Sequence, residues 1–307
     1  MTAIEMGRVE AYPLPTEGLM EETSIALARQ VQRVGVQTDL MEGAIATTFV
    51  RSGTSGAEPV LLLHGFDSSV LEFRRLLPLL AAQHETWAVD LLGFGFTQRI
   101  PTLTVTPAAI VQHLDAFWQQ QIGRSVTLVG ASMGGTAAIA FAERYPEAVS
   151  RLVLLDSAGY TVGPSFGAFL PKAIAYWVAG ILKRPKVRQD IAVKAYHDPT
   201  FASEDAAHCA ALHLTDPLWQ ETLAAFTRSG GFRSCRAQLS SLQMPTLVLW
   251  GKSDRILGIK DAPKLAGAIA QSRLVWVEAS GHVPHLEQPA VTASEILQFM
   301  ETPTSSL

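Results

Sequence analysis

The strand-like run Val126-Thr127-Leu128-Val129 passes directly into Gly130-Ala131-Ser132-Met133-Gly134-Gly135, and a helical stretch from Thr136 to Arg144 follows at once. A chain that turns from strand to helix this tightly has no room for a side chain two positions either side of the serine, so Gly130 and Gly134 make the turn possible. The same bend lifts the Ser132 hydroxyl clear of the sheet. Few other folds than a sheet with helices packed beside it can hold such an element.

Short apolar runs of β-type composition recur around it, at Val60 to Leu63, Thr86 to Val89 and Leu152 to Leu155, with helical stretches between them. This alternation predicts an α/β chain with a mostly parallel central sheet and helices on both faces. The pattern breaks from roughly Gly159 to Ala237, where Ala, Leu, Trp and His recur at helical spacing, and resumes with Thr246 to Trp250 and Leu274 to Val277. A helical cap inserted between two core strands accounts for the interruption. The expected organisation is residues 1–158 as the N-terminal part of the core, 159–237 as the cap or lid, and 238–307 as the C-terminal part of the core. Ahead of the core, Leu19 to Val34 reads as a leading helix stopped by Gly35, and Val36 to Val50 as an edge hairpin turning near Glu42 and Gly43. The whole resembles the α/β-hydrolase fold.

A serine hydroxyl is a weak nucleophile at neutral pH and needs a base beside it. His282 and His285 both follow the last strand, and Gly281-His282 opens the loop where this architecture presents its base, so His282 is the candidate and His285 a packing or hydrogen-bonding residue. The orienting carboxylate should lie between serine and histidine in the chain and just past a strand, which Asp254 satisfies. Asp156 also follows a strand and is the alternative acid of a rearranged triad; its plainer role is capping a loop. The negative oxygen formed on attack needs fixed backbone donors. Met133, after the nucleophile, supplies one amide, and Phe66, in His64-Gly65-Phe66-Asp67, the other, with His64 structural. No metal site or cofactor is expected, because the spacing of His208, Cys209 and His213 fits no common zinc pattern. Gly93 and Gly95 lack the third glycine and acidic partner of a dinucleotide fingerprint and read as a tight loop.

The net charge of -4 and the lack of any Lys/Arg block exclude a nucleic-acid partner. Only 17% of residues are charged, against roughly 25% in an ordinary soluble protein, which suggests unusual exposed apolar area. Two cysteines without a paired motif fit a reducing compartment, and neither a secretory nor a transit segment is expected at the N-terminus. No apolar run reaches the roughly 18 residues of a spanning helix, so membrane contact should be peripheral. The cap segment from Phe166 to Leu182 is nearly all apolar, with Lys183, Arg184, Lys186 and Arg188 just after it. Phe166, Phe169, Leu170, Tyr176, Trp177 and Ile181 are the candidate lipid-facing residues; packing of a cap helix over the site would give the same composition.

The runs His64-Gly65-Phe66-Asp67-Ser68-Ser69, Glu85-Thr86-Trp87-Ala88-Val89-Asp90, Leu92-Gly93-Phe94-Gly95-Phe96, Leu170-Pro171-Lys172 and Ser229-Gly230-Gly231-Phe232 resemble the chlorophyll dephytylases from about Pro59 to Met300. The resemblance implies hydrolysis of the phytyl ester of chlorophyll to chlorophyllide and phytol through an acyl-enzyme, with Ser132, Asp254 and His282 on the triad positions. It also implies a thylakoid setting or the cytoplasmic face of a photosynthetic prokaryote's membrane. The chain departs from the plant members in lacking their plastid transit peptide, and it has Phe94 where the family has tryptophan. Readings left open are a carboxylesterase or lipase, a carbon-carbon bond hydrolase or a pheophytin-specific hydrolase of the same fold, and a non-catalytic ligand receptor.

Overall fold

The computed structural model describes residues 6–161 and 169–302. Among them nine strands form one sheet: β1 (Val9–Ala11), β2 (Gln32–Gln37), β3 (Ala44–Ser52), β4 (Val60–Leu63), β5 (Thr86–Val89), β6 (Val126–Ala131), β7 (Val149–Leu155), β8 (Thr246–Gly251) and β9 (Ser272–Val277). Their order across the sheet is β1-β2-β3-β5-β4-β6-β7-β8-β9. The first three strands pair antiparallel, as does β3 with β5, and every pairing from β5 across to β9 is parallel. The described helices are α1 (Glu22–Gln30), α2 (Leu77–Ala81), α3 (Pro107–Gln121), α4 (Met133–Arg144), α5 (Lys172–Leu182), α6 (Pro185–Ala195), α7 (Glu204–Ala211), α8 (Trp219–Arg228), α9 (Arg236–Leu239), α10 (Ala262–Gly267), α11 (Pro284–Glu287) and α12 (Pro289–Glu301).

The central strands are buried on both faces, which is why their sequences are continuous apolar runs rather than alternating ones. In β4, Leu61 and Leu63 join a core with α3, α4 and α10, while Val60 and Leu62 point the other way into a core with α1, α2 and α12. Helix starts follow the sequence. Thr106 accepts from the Ala109 amide and Pro107 opens α3, while Ser203 accepts from Ala206 at the start of α7.

Helices α5 to α9 all fall between β7 and β8. Ala175 and Ala179, one turn apart and both buried, let α5 lie close on α8, and Gln220 donates to the Tyr176 carbonyl at 2.8 Å. No helix of the described residues is long and apolar enough to cross a membrane.

Two expectations change. The leading helix stops at Gln30 instead of Val34, and β2 starts at Gln32: Val34 and Val36 are fully buried and pair opposite Thr47 and Ile45 of β3. Their spacing suited helix and strand alike, and sheet pairing decided it. Strand β1, exposed at all three residues, carried no burial pattern to be read. In the cap, Phe169 and Trp177 are 87% and 63% exposed and Tyr176 is also exposed, but Leu170 and Ile181 are half-buried, Leu170 packing against the core. Phe166 lies outside the described residues.

Candidate active site

Ser132 stands between β6 and α4 with φ 50° and ψ −116°, a backbone conformation that residues with a Cβ rarely adopt. The neighbouring glycines explain how the bend closes. A Cβ on Gly130 would strike the Gly134 carbonyl, and one on Gly134 would strike the carbonyls of Leu63 and His64.

His282 Nε2 lies 2.9 Å from Ser132 Oγ, and His282 Nδ1 lies 3.0 Å from Asp254 Oδ2. Asp254 is held in turn by the amides of Ile256 and Leu257, at 2.7 and 3.1 Å from its Oδ1. An ionised carboxylate only accepts, so the imidazole proton sits on Nδ1 and Nε2 is free to accept from the serine hydroxyl. The three residues expected from sequence are therefore in one hydrogen-bonded line.

The alternative acid, Asp156, is beside them but does not hold the imidazole. Fully buried at the end of β7, it accepts from the Gly251 amide at 3.0 Å. Burial, and next the charge of Asp254, push its carboxyl well above the usual range. Ligand atoms of Asp156, Asp254 and His282 lie within 4.8 Å of one another. With the imidazole hydrogen-bonded through Nδ1 and Asp254 Oδ1 held by two amides, the three make a poor cation cradle. The other histidine, His285, pairs with Glu72 at 3.2 Å. Burial works to raise the Glu72 carboxyl, but the hydrogen bond and charge of His285 outweigh it and carry it down to about 2.

The loop after β4 runs against the serine: a Cβ on Gly65 would sit 3.4 Å from Ser132 Cβ. Its Gly65 amide donates to Glu72 at 2.9 Å. Burial lowers the His64 pKa; the Leu91 amide donates to its Nε2 at 3.1 Å, so that nitrogen carries no proton and Nδ1 donates to the Gly65 carbonyl at 2.8 Å. His64 is thus structural, and the Phe66 amide follows a peptide fixed from both sides. Met133 opens α4, where an amide has no intrahelical acceptor and is available to a ligand. Glu72 was not read from the sequence, since nothing in its spacing ties it to Gly65. His208, Cys209 and His213 form no common site: Cys209 approaches Asp205, His213 bonds Asp67, and His208 lies against Gly18. Gly93 and Gly95, at φ 84° and 52°, form a tight loop in which Gly95 packs on the Asp90 carboxyl.

Above Ser132 and His282 opens a cavity of about 920 Å³, walled by Leu182, Ile191, Tyr196, Leu212, Leu214 and Leu286 from cap and core. The exposed Lys183 and Lys186 stand at its edge.

The profile of a family described as "Alpha/beta hydrolase family" matches residues 60–295. The alpha/beta hydrolase domain-containing protein VTE7 of Arabidopsis thaliana is 34% identical over 293 residues, spanning 94% of this chain and 88% of the relative. The 2-hydroxy-6-oxo-2,4-heptadienoate hydrolase of Pseudomonas putida is 28% identical over 88% of this chain and 94% of its own. Among solved structures, a thermophilic esterase from Thermogutta terrifontis superposes with a TM-score of 0.74 at 28% identity, over 88% of this chain and 100% of that one. The elbow, the hydrogen-bonded serine and histidine, the sheet order and these likenesses agree: the chain belongs to the α/β-hydrolase family and is a hydrolase.

Proposed function

We propose that this hydrolase is a serine esterase that cleaves the phytyl ester of chlorophyll, releasing chlorophyllide and phytol. The observation that carries the esterase reading is the line from Asp254 through His282 to Ser132, opening into a large apolar cavity. His282 takes the hydroxyl proton as Ser132 Oγ attacks the ester carbonyl, and Asp254 steadies the imidazolium. The amides of Phe66 and Met133 receive the negative oxygen, each such donor contributing about 3 kcal/mol to the transition state. The tetrahedral adduct then expels the alcohol, which His282 protonates. Water, activated by the same imidazole, hydrolyses the acyl-enzyme. Serine, imidazole and main chain supply the whole reaction, so no cofactor is needed; magnesium is part of the pigment.

The surroundings support an uncharged, chain-bearing substrate over a dienoate acid. Glu72 is ionised beside Gly65, and Arg188 at the cavity is paired with Asp67. The Glu72 charge would repel a substrate carboxylate placed beside Gly65. The cavity volume sits at the upper end of the roughly 300–1,000 Å³ of small-molecule sites, suited to a long chain while the tetrapyrrole stays outside. Exposed Phe169, Tyr176 and Trp177 on and before α5, with Lys183 and Lys186 at the cavity edge, support entry from a lipid surface with the protein peripheral to a photosynthetic membrane. A relative in a plant fits that setting.

The test is to offer detergent-dispersed chlorophyll a and separate the products by chromatography, with Ser132→Ala as the control expected to lose about 10⁶-fold in turnover. Turnover of short acyl esters without chlorophyllide would make the enzyme a general carboxylesterase or lipase, and cleavage of pheophytin alone a pheophytin hydrolase. The absence of any burst with an activated ester would favour a receptor.

A further inference from the structure

Asp67 directly follows the expected oxyanion donor Phe66 and has φ 51°, where a residue other than glycine is strained. Its side chain is 8% exposed and meets three cap donors. Arg188 on α6 donates to Oδ2 at 2.7 Å, Trp219 Nε1 at the start of α8 donates to Oδ1 at 2.7 Å, and His213 Nε2, in the turn before α8, reaches Oδ1 at 3.1 Å. A carboxylate oxygen only accepts, so His213 Nε2–H is the donor; burial lowers the ring's pKa. The Phe66 ring also reaches the cap, its centroid 6.3 Å from Phe226 on α8. One residue earlier the anchoring is all core: His64 and Glu72 hold the two sides of Gly65. The Phe66 amide therefore lies between a residue fixed to the core and a residue fixed to the cap.

We infer that the cap sets the oxyanion hole through Asp67, so that seating the cap and aiming the Phe66 amide are one event, with Asp67 as the positioning residue. The inference rests on the esterase reading above. If the cap lifts, the three donors leave Asp67 together, its buried carboxylate loses its partners, and the strained turn at residue 67 has nothing to hold it. The peptide carrying the Phe66 N–H then relaxes away from the serine. A cap seated over bound substrate restores it. Attack on the ester is thereby confined to the enzyme with its cap seated.

A short soluble ester that leaves most of the cavity empty separates this role from simple support of the cap. The measurements are kcat and KM on such an ester, and affinity for a trifluoromethyl ketone that forms a tetrahedral adduct, for Asp67→Asn, Asp67→Ala, Arg188→Gln and Trp219→Phe. Asp67→Ala is expected to lower kcat and weaken the ketone by a matching factor of about 10², with KM changed by less than about threefold, as for removal of one oxyanion donor. Arg188→Gln should give a smaller loss of the same kind, and Arg188→Lys should restore part of it. Asp67→Asn and Arg188→Gln keep the test decisive should Asp67→Ala fail to fold. An unchanged kcat with a raised KM, or ketone affinity equal to the parent, overturns the inference. A parent protein inert toward the ester overturns the esterase reading and this inference with it.

Discussion

Asp254 and Asp156 stand together past the ends of neighbouring strands, β8 and β7, but only Asp254 holds the catalytic imidazole. Asp254 accepts from two amides and from His282, so Asp254→Asn should disturb the tautomer and lower kcat by about 10⁴ while leaving the fold intact. Burial and the Asp254 charge raise the Asp156 pKa. In the unfolded chain it ionises near 3.8, so the contribution of its neutral form is fully present below that pH and is lost as pH rises toward the raised native value. Asp156→Asn removes this linkage. The variant should equal the parent in stability near pH 3.8 and gain on it with rising pH, by at most about 1.4 kcal/mol per unit, in urea melts from pH 4 to 7. A deficit that is constant with pH would instead mean a lost structural contact. Glu72 behaves oppositely. Its native value of about 2 lies below the unfolded 4.5, so its stabilisation is present above pH 4.5 and fades as pH falls from there. Melts of Glu72→Gln should accordingly converge on the parent in acid and fall below it at neutral pH.

At the scale of elements, α5 is the least typical helix, presenting Ile174, Tyr176, Trp177 and Val178 outward while only Ala175 and Ala179 are buried. Trp177→Ser combined with Phe169→Ser should reduce flotation with anionic vesicles yet leave turnover of a soluble ester unchanged, because neither side chain reaches the cavity. Equal loss of both would show a damaged cap. The core strands were legible because each is a short apolar run ended by turn residues, and the elbow because its glycines are required by close backbone contact. The junction of α1 and β2 was not, since Val31 and Val34 satisfy both periods. The cap's outer face was legible only as composition: apolar spacing does not say which side of a helix meets its neighbours, and Leu170 and Ile181 turned partly inward. Least legible was the set of residues gathered on Asp67, whose partners lie 121, 146 and 152 residues away in the chain. Arg188 read as one of four clustered basic residues, yet it alone of them turns to a buried carboxylate.

Over the whole molecule, core and cap meet along the cavity, and its apolar wall makes chain length the quantity that should govern substrate choice. The site chemistry could be read from sequence because the serine, aspartate and histidine each follow a strand in a fixed order, whereas the cavity arises from residues scattered between Gly65 and Leu286. A methylene moved from water into such a wall gains about 0.8 kcal/mol, close to a fourfold change in affinity. A methylene moved from a bilayer gains almost nothing, because lipid is already as apolar as the cavity. Alkyl esters of one soluble acid, lengthened from ethyl to octyl, should therefore rise in kcat/KM by up to about fourfold per methylene until the wall is filled. Esters dispersed in vesicles should show a nearly flat dependence over the same range. If kcat/KM in water stays level with alcohol length, the cavity is not holding the alcohol chain, and the phytyl group must lie elsewhere on the enzyme.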